Sequence, residues 1–237
     1  MTLPKISHPL YDVNIPSTNK KIKIRPMLVK EEKLLLMAKT SDDSRDILSA
    51  IKQVVNNCIA DDNIDVDKLA IFDIEYLFLR IRAFSISNVS KVSYRDNEDN
   101  EIYDFEIDLD NIKVEFPENV KKSIEVDDTT TIVMKYAEAS LYTDEEFSKI
   151  EPKNLFDELV VRCIDKIYVG DEMYDTSSMT REQLTEYLEN FEIPTYAKMR
   201  NFVMNMPTLK YVIEYKNSKG SDRKIVMTAL NDFFTLR

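Results

Sequence analysis

Glycine is nearly absent from this chain, with two in 237 residues. Glycine-rich phosphate loops, dinucleotide-binding fingerprints and nucleophile elbows each need several glycines at fixed positions, so this chain cannot build them. Most nucleotide-binding enzyme classes are excluded on that ground. Histidine occurs once, as His8, in an N-terminal arm that reads as an exposed tail. Ser-His-Asp and Cys-His catalysis both need a positioned histidine in a packed setting. The two cysteines, Cys58 and Cys163, each fall inside an apolar helical pattern with no second ligand nearby. They are expected to be buried reduced thiols, suited to a reducing cytoplasm, and not zinc ligands. The opening MTLPKISHPL lacks a basic segment followed by an apolar run, so no signal peptide is expected.

Basic residues are the minority charge, 32 against 43 acidic ones, giving a net charge of −11 and a pI near 4.8. Nucleic-acid binding requires a basic face and is not expected. Acidity of this kind serves solubility first. A mimic of DNA would need carboxylates ordered along one face, whereas here they are scattered through connectors. Calcium is a more specific question. Asp61, Asn63, Asp65 and Asp67 match the first ligand spacing of an EF-hand, but position six is Val66 in place of glycine and position twelve is Phe72 in place of glutamate. RDNEDNE fails for the same want of a glycine turn. Carboxylate pairs such as Asp127/Asp128 and Glu145/Glu146 occur in any acidic protein and single out no acid–base site. The residues therefore point to no enzyme, no metal and no cofactor. A small acidic metal-dependent enzyme using the Asp-rich connector stands as the alternative from another class.

What the chain does have is one long apolar stretch, DKLAIFDIEYLFLRIRAF, at residues 67–84. At helical spacing, Leu69, Phe72, Tyr76, Leu79, Arg80 and Ala83 fall on one side. Ile71, Ile74, Phe78 and Ile81 make a second apolar face, which leaves little circumference for water. Asp73, Glu75, Arg80 and Arg82 interrupt it and argue against a membrane span. Asp73/Arg80 and Glu75/Arg82 are seven apart, too far for i,i+4 pairing, so their partners are expected on other elements. The stretch reads as a buried central helix, with Leu69, Phe72, Ile74, Tyr76, Phe78, Leu79 and Ile81 organising the core.

Around it, LYDVNI and KIKIRP read as a β-hairpin closed by PSTNK, and MLVKEEKLLLMAKT as a helix with Glu31 and Glu32 at its favoured end. A second helix starts near Asp43. After Ser85 four or five short strands follow, SNVSKVSYR, EIYDFEID, NIKVEF, KSIEV and TTIVMKYA. A second helical group begins near Thr143, with Asn154 as cap of a helix NLFDELVVRCIDKIY. VGDEMYD reads as a short hairpin or loop, Thr180 with Gln183 as a capping box, and Pro194 as a first-turn proline. TLKYVIEYKN and RKIVMTA form a last hairpin before an apolar tail. The expected class is α+β, helical groups around a buried central helix with segregated antiparallel β-hairpins. The segments divide at 1–88, 89–136, 137–206 and 207–237, as one compact unit or two lobes. KVSYRDNEDN followed by IDLDNI also echoes YVIEYKNSKG followed by VMTALNDFF.

Three segments together resemble the baseplate hub subunits and hub assembly proteins of T-even-type contractile-tailed bacteriophages. They are YDVNIPSTNKKIKIRPMLVKEEKLLLMA with its Arg-Pro and Glu-Glu-Lys, the IFDIEYLFLRIRAFS core, and the Leu-Asn-Asp-Phe-Phe ending. They cover about a third of the chain directly and bracket it in order. The resemblance implies a late protein of tail baseplate hub assembly, in the cytoplasm of an infected bacterium and then in the virion, working through contacts with other hub or tail proteins. A chaperone that leaves before the tail is complete, and a homo-oligomer, stay open. Relatives often carry Cys-x-x-Cys pairs in the hairpin after the core helix; here KVSYRDNEDNEIYDFEID has none, so a zinc ribbon should be absent and packing alone should hold that module. Partner contacts are expected from Leu3, Pro4 and Pro9 of the N-terminal arm, and from Lys20, Lys21 and Lys23 of the first hairpin. Phe233, Phe234 and Leu236 at the end are further candidates, with a satellite core contact as the competing assignment for the Phe pair.

Overall fold

In a computed structural model, which describes residues 6–41 and 43–233, the chain has an α+β fold with seven α-helices and several antiparallel sheets among those residues. It divides into two compact units. The first runs to Glu115 and resumes at Thr208; the second is Phe116–Pro207. The four sequence segments thus regroup, with the first hairpin, the helices after it and two later hairpins sharing one unit.

In unit 1, strands β1 (Tyr11–Asn14) and β2 (Lys21–Ile24) pair antiparallel from Tyr11↔Ile24 to Asn14↔Lys21. Alternation buries Val13, Ile22 and Ile24 and turns Asp12, Lys21 and Lys23 outward. Helix α1 (Val29–Lys39) follows, then α2 (Ser44–Cys58), which is capped by the Asp43 side chain accepting from Arg45 N–H. Helix α3 spans Ile71–Ser85 and so begins later than its apolar run suggests. Residues Val66–Lys68 form a 3-10 turn capped by Asp65, and Ala70 is extended. Local carboxylates compete there for the backbone N–H groups that a longer helix would use. Within α3, Phe72, Ile74, Phe78, Leu79 and Ile81 are buried and Tyr76 is half-buried; Leu69, ahead of the helix, is half-buried too. Both cysteines are buried free thiols.

The first unit continues with β3 (Val89–Arg95), β4 (Ile102–Asp108), a 3-10 turn at Leu109–Asn111, and β5 (Lys113–Glu115). The chain then enters unit 2. There β6 (Ser123–Glu125), β7 (Thr130–Met134), the short α4 (Glu145–Ser148), α5 (Leu155–Arg162), β8 (Ile164–Val169), β9 (Glu172–Asp175), α6 (Arg181–Glu189) and α7 (Ile193–Met204) succeed one another. The four strands form one sheet in the order β6-β7-β8-β9. Ile124, Ile132 and Ile167 cover its inner face and share a core with Val160, Leu184 and Phe202. Thr180 and Gln183 make the expected reciprocal capping box, and Pro194 sits in the first turn of α7.

The helix expected to run on to Tyr168 is corrected by the structure. It stops at Arg162, and the Asn154 side chain makes no cap bond. The stretch after Cys163 is strand β8. A β-bulge there pairs Ile164 with Met134 and Ile167 with Ile132, and skips Asp165. The bulge brings two isoleucines three residues apart onto one face, which imitates helical spacing in the sequence.

Back in unit 1, β10 (Thr208–Lys216) pairs with β5 on one side and with β11 (Asp222–Met227) on the other. Because Thr208 lies opposite Glu115, unit 2 leaves and re-enters unit 1 at neighbouring positions. The internal echo is structural. Each hairpin, β3–β4 and β10–β11, is followed by a 3-10 turn, Leu109–Asn111 and Leu230–Phe233. Each turn buries a Leu and a second apolar residue three positions on, Leu109 with Ile112 and Leu230 with Phe233. Asn100 and Gly220 take positive φ, +67° and +81°, before the returning strands.

Glu75 is the exception within α3. It is half-buried, and burial lifts its carboxyl from an ordinary 4.5 to about 7. Its folded-state value lies above the unfolded one, so its contribution to stability is complete below pH 4.5 and is lost as the pH rises through 7. Glu75→Gln should therefore flatten the fall in urea midpoint between about pH 5 and about pH 7.5; an unchanged slope would assign the effect elsewhere.

Candidate interaction surfaces

The sequence segments that stand out in unit 1 are built around buried carboxylates. Arg25, at the end of β2, donates from Nη2 to Glu31 Oε1 at 2.9 Å and to the Asn57 carbonyl at 2.8 Å, and from Nη1 to the Pro26 carbonyl at 2.9 Å. Glu31 Oε2 accepts from Leu28 N–H at 2.8 Å, and only 1% of the residue is exposed. Burial pushes the Glu31 carboxyl up. The Arg25 hydrogen bond, the Leu28 N–H and the charges of Arg25 and Lys30 outweigh that and leave it below its ordinary value. Thus the Arg-Pro and Glu-Glu-Lys of the opening segment are two ends of one ion pair, and Glu31 does more than favour a helix dipole.

Asp73, fully buried in α3, accepts from Ser17 N–H at 2.8 Å and from Ala70 N–H at 3.2 Å, so it fastens the first hairpin's turn to the start of the core helix. Arg80 pairs with Asp110. As expected, both charges find partners on other elements. At the C-terminal turn, Asp232 Oδ2 accepts from Thr228 and Ala229 N–H, each at 2.9 Å, and Ser90 Oγ donates to the Phe233 carbonyl at 2.6 Å.

The cysteine-free hairpin is held by more than packing. Asp96, fully buried, accepts from Tyr215 Oη, from Glu98 N–H at 2.7 Å and from Arg223 Nε at 2.9 Å. Burial pushes its carboxyl up, and these donors bring it below the usual range. Asp99 accepts from Tyr103 Oη at 2.7 Å and from Ser218 N–H at 3.0 Å, and Asn217 Nδ2 donates to Glu98 at 2.8 Å. This polar network locks the β3–β4 tip to the β10–β11 tip.

The Asp-rich connector is also engaged. Asp61 accepts from Lys23 N–H at 2.5 Å, Asp65 from Asp67 N–H at 3.1 Å, and Asp67 pairs with Lys52 at 2.6 Å. Asp127 closes a turn by accepting from Thr129 and Thr130 N–H, both at 2.8 Å. Among the described residues, no group of three or more His, Cys, Asp or Glu is placed to hold a metal, and no helix is long and apolar enough to cross a membrane.

The surface candidates divide. Leu3 and Pro4 lie outside the described residues, as do Phe234 and Leu236. Pro9 is exposed, beside Ile6 at 80% exposure. His8 is half-buried, against the expectation of an exposed tail. Lys20, Lys21 and Lys23 are exposed on the first hairpin, with Lys21 paired to Asp12 at 2.8 Å. Phe233 is fully buried in its 3-10 turn, which agrees with the core-contact assignment and not with a surface contact. Two exposed apolar patches went unnoticed in the sequence. Helix α1 exposes Val29, Leu36 and Met37. The signal was there, because four successive apolar residues, Leu34–Met37, cannot all face one side of a helix. In unit 2, β8 and β9 expose Tyr168, Val169, Met173 and Tyr174.

A family model described as T4 bacteriophage base plate protein matches residues 8–235. The chain belongs to that family. No curated protein and no solved structure matches it. Membership gives this baseplate protein a structural or assembly role in the phage baseplate, with other baseplate proteins as partners. The three segments that carried the resemblance all lie in unit 1, where they supply the Arg25–Glu31 pair, the Asp73 clamp and the Asp232 turn.

Arg25→Met should destabilise the baseplate protein by about 3 kcal/mol in urea unfolding, because it strands Glu31 in the interior. Arg25→Met combined with Glu31→Leu should recover part of that loss, whereas simple additivity of the two losses would mean that the pair is not coupled.

Proposed function

We propose that this protein is a non-enzymatic component of phage tail baseplate hub assembly, a hub subunit or an assembly factor acting through protein–protein contacts. The observation that carries this reading is the family match over 8–235. It is supported by the occupation of the chain's distinctive carboxylates, Glu31, Asp73, Asp96 and Asp232, in bonds that hold backbone and hairpins together. Exposed apolar side chains on α1 and on β8–β9 supply contact surface. So do Pro9 of the arm and Lys20, Lys21 and Lys23 of the first hairpin. The site of action is the host cytoplasm during assembly, then the tail baseplate for a retained subunit. The connector carboxylates that a metal-dependent enzyme would need are tied to Lys23, Lys52 and the 3-10 turn.

The deciding measurement is quantitative mass spectrometry of purified mature particles against lysate from infected cells. A fixed small copy number per particle is the expected result for a hub subunit, and abundance in lysate with absence from particles that for a departing assembly factor. Absence of the protein from every purified tail intermediate, as well as from particles, would overturn both. A rise of several degrees in melting temperature with millimolar calcium or magnesium would favour the enzyme reading instead.

A further inference from the structure

The negative charge of this chain is not spread evenly. Unit 2 holds 10 basic against 19 acidic residues, and the rest of the chain holds 22 against 24. Within unit 2 the imbalance is steep over residues 182–197, which contain Glu182, Glu186, Glu189 and Glu192 and no Lys, Arg or His. This stretch is most of α6, the link after it and the first turn of α7.

A groove of about 320 Å³ opens between these elements and α5. Val161 and Leu188, both buried, lie at its base, and half-buried Phe191 and Tyr196 make its walls. Ile193 stands at its lip, 85% exposed, the highest value of any large apolar side chain among the described residues. The polar lining is Asp157, Thr185 and Glu189. Asp157 accepts from Tyr196 Oη, and Thr185 Oγ1 donates to the Arg181 carbonyl at 2.9 Å. The carboxylates of Glu186, Glu189 and Glu192 have no hydrogen-bond or ion-pair partner among the described residues. The nearby cations are engaged elsewhere. Arg181 is held on Glu158 at 3.2 Å, and Lys198 lines a different groove, beside β6. Arg200 lies over the Phe156 ring at 5.7 Å, on the α5 side, where it offsets Asp157. The α6 side of the groove thus keeps the carboxylates of Glu189 and Glu192 uncompensated, with Glu186 one turn behind.

We propose that this groove receives a short segment of another protein, which lays a large apolar side chain on Val161 and Leu188 and sets Lys or Arg side chains against Glu189 and Glu192. The apolar floor gains from burying any large hydrophobe, and the rim selects what flanks it. A carboxylate at the rim loses water when the groove fills, which costs free energy unless a cation meets it. A second copy of this chain is the poorer match, because its own excess of carboxylates brings like charge to an acidic rim. The inference rests on unit 2 alone and stands whether or not the hub assignment does.

The test uses the full chain and three end-blocked peptides, KKLFKK, QQLFQQ and KKSSKK. Fluorescence anisotropy of the labelled peptides gives the affinity, and NMR of the Ile193 methyl gives the location. The expected result is a saturable Ile193 shift with KKLFKK, which should bind about tenfold tighter than either other peptide and weaken as salt screens the rim. Glu189→Lys/Glu192→Lys, at two exposed positions, should lose KKLFKK binding by about tenfold or more. Ile193→Ser, which keeps every charge, should weaken it as well, and circular dichroism checks that each variant is folded. No Ile193 shift with KKLFKK at millimolar peptide, equal binding of the three peptides, or a charge-reversed variant that binds like wild type would each overturn the proposal. So would an Ile193 shift that grows with protein concentration alone, which would give the groove to a second copy.

Discussion

The buried pair between Arg25 and Glu31 is the constraint on which the N-terminal half of unit 1 depends. A carboxylate with 1% exposure is tolerable only if its charge is matched and its lone pairs are filled. Here one guanidinium fork and one backbone N–H meet that demand. The same guanidinium reaches the Asn57 and Pro26 carbonyls, so the end of β2, the start of α1 and the end of α2 are fixed by one side chain. Asp73 repeats the device one layer on, joining the first hairpin to α3. The pair and the clamp are each built from a charged residue that the family segments contain.

This use of carboxylates also accounts for the composition. A chain with two glycines must make its turns by other means. Asp65, Asp96, Asp99, Asp108, Asp127, Asp144 and Asp175 each accept a backbone N–H two residues on, and Asn217 does so with its amide oxygen. Such side-chain-closed turns substitute for glycine-dependent ones. Much of the negative charge is therefore turn chemistry, which is why the acidic runs resemble metal loops in sequence and are bound to backbone in the structure.

The elements that could be read from sequence were those with a local physical signature. The β1–β2 alternation, the start of α2 near Asp43, the Thr180–Gln183 box and Pro194 each act within a few residues. The α5–β8 boundary was not legible, because a bulge in β8 spaces Ile164 and Ile167 as a helix would. The start of α3 was misplaced because apolar periodicity does not register the carboxylates that close the turn before it. The tie between the two hairpin tips joins residues about 120 apart and is set by topology, so no window of sequence could show it. For Phe233 the sequence left core contact and surface contact both open, and burial in the 3-10 turn decides for the core.

The connection between β5 and β10 has a consequence for synthesis. Glu115 and Thr208 are neighbours in the sheet, yet all of unit 2 is translated between them. The β3–β4 hairpin therefore leaves the ribosome well before its partner hairpin exists, and unit 2 has its whole sequence available to fold during the wait. Meanwhile Asp96 and Asp99 are still in water, and hydration supplies the hydrogen bonds that Tyr215, Ser218 and Arg223 later replace. A polar seam is the kind of unfinished surface that can wait without drawing in other nascent chains, and its closure by β10 and β11 completes the first unit only after unit 2 has been made.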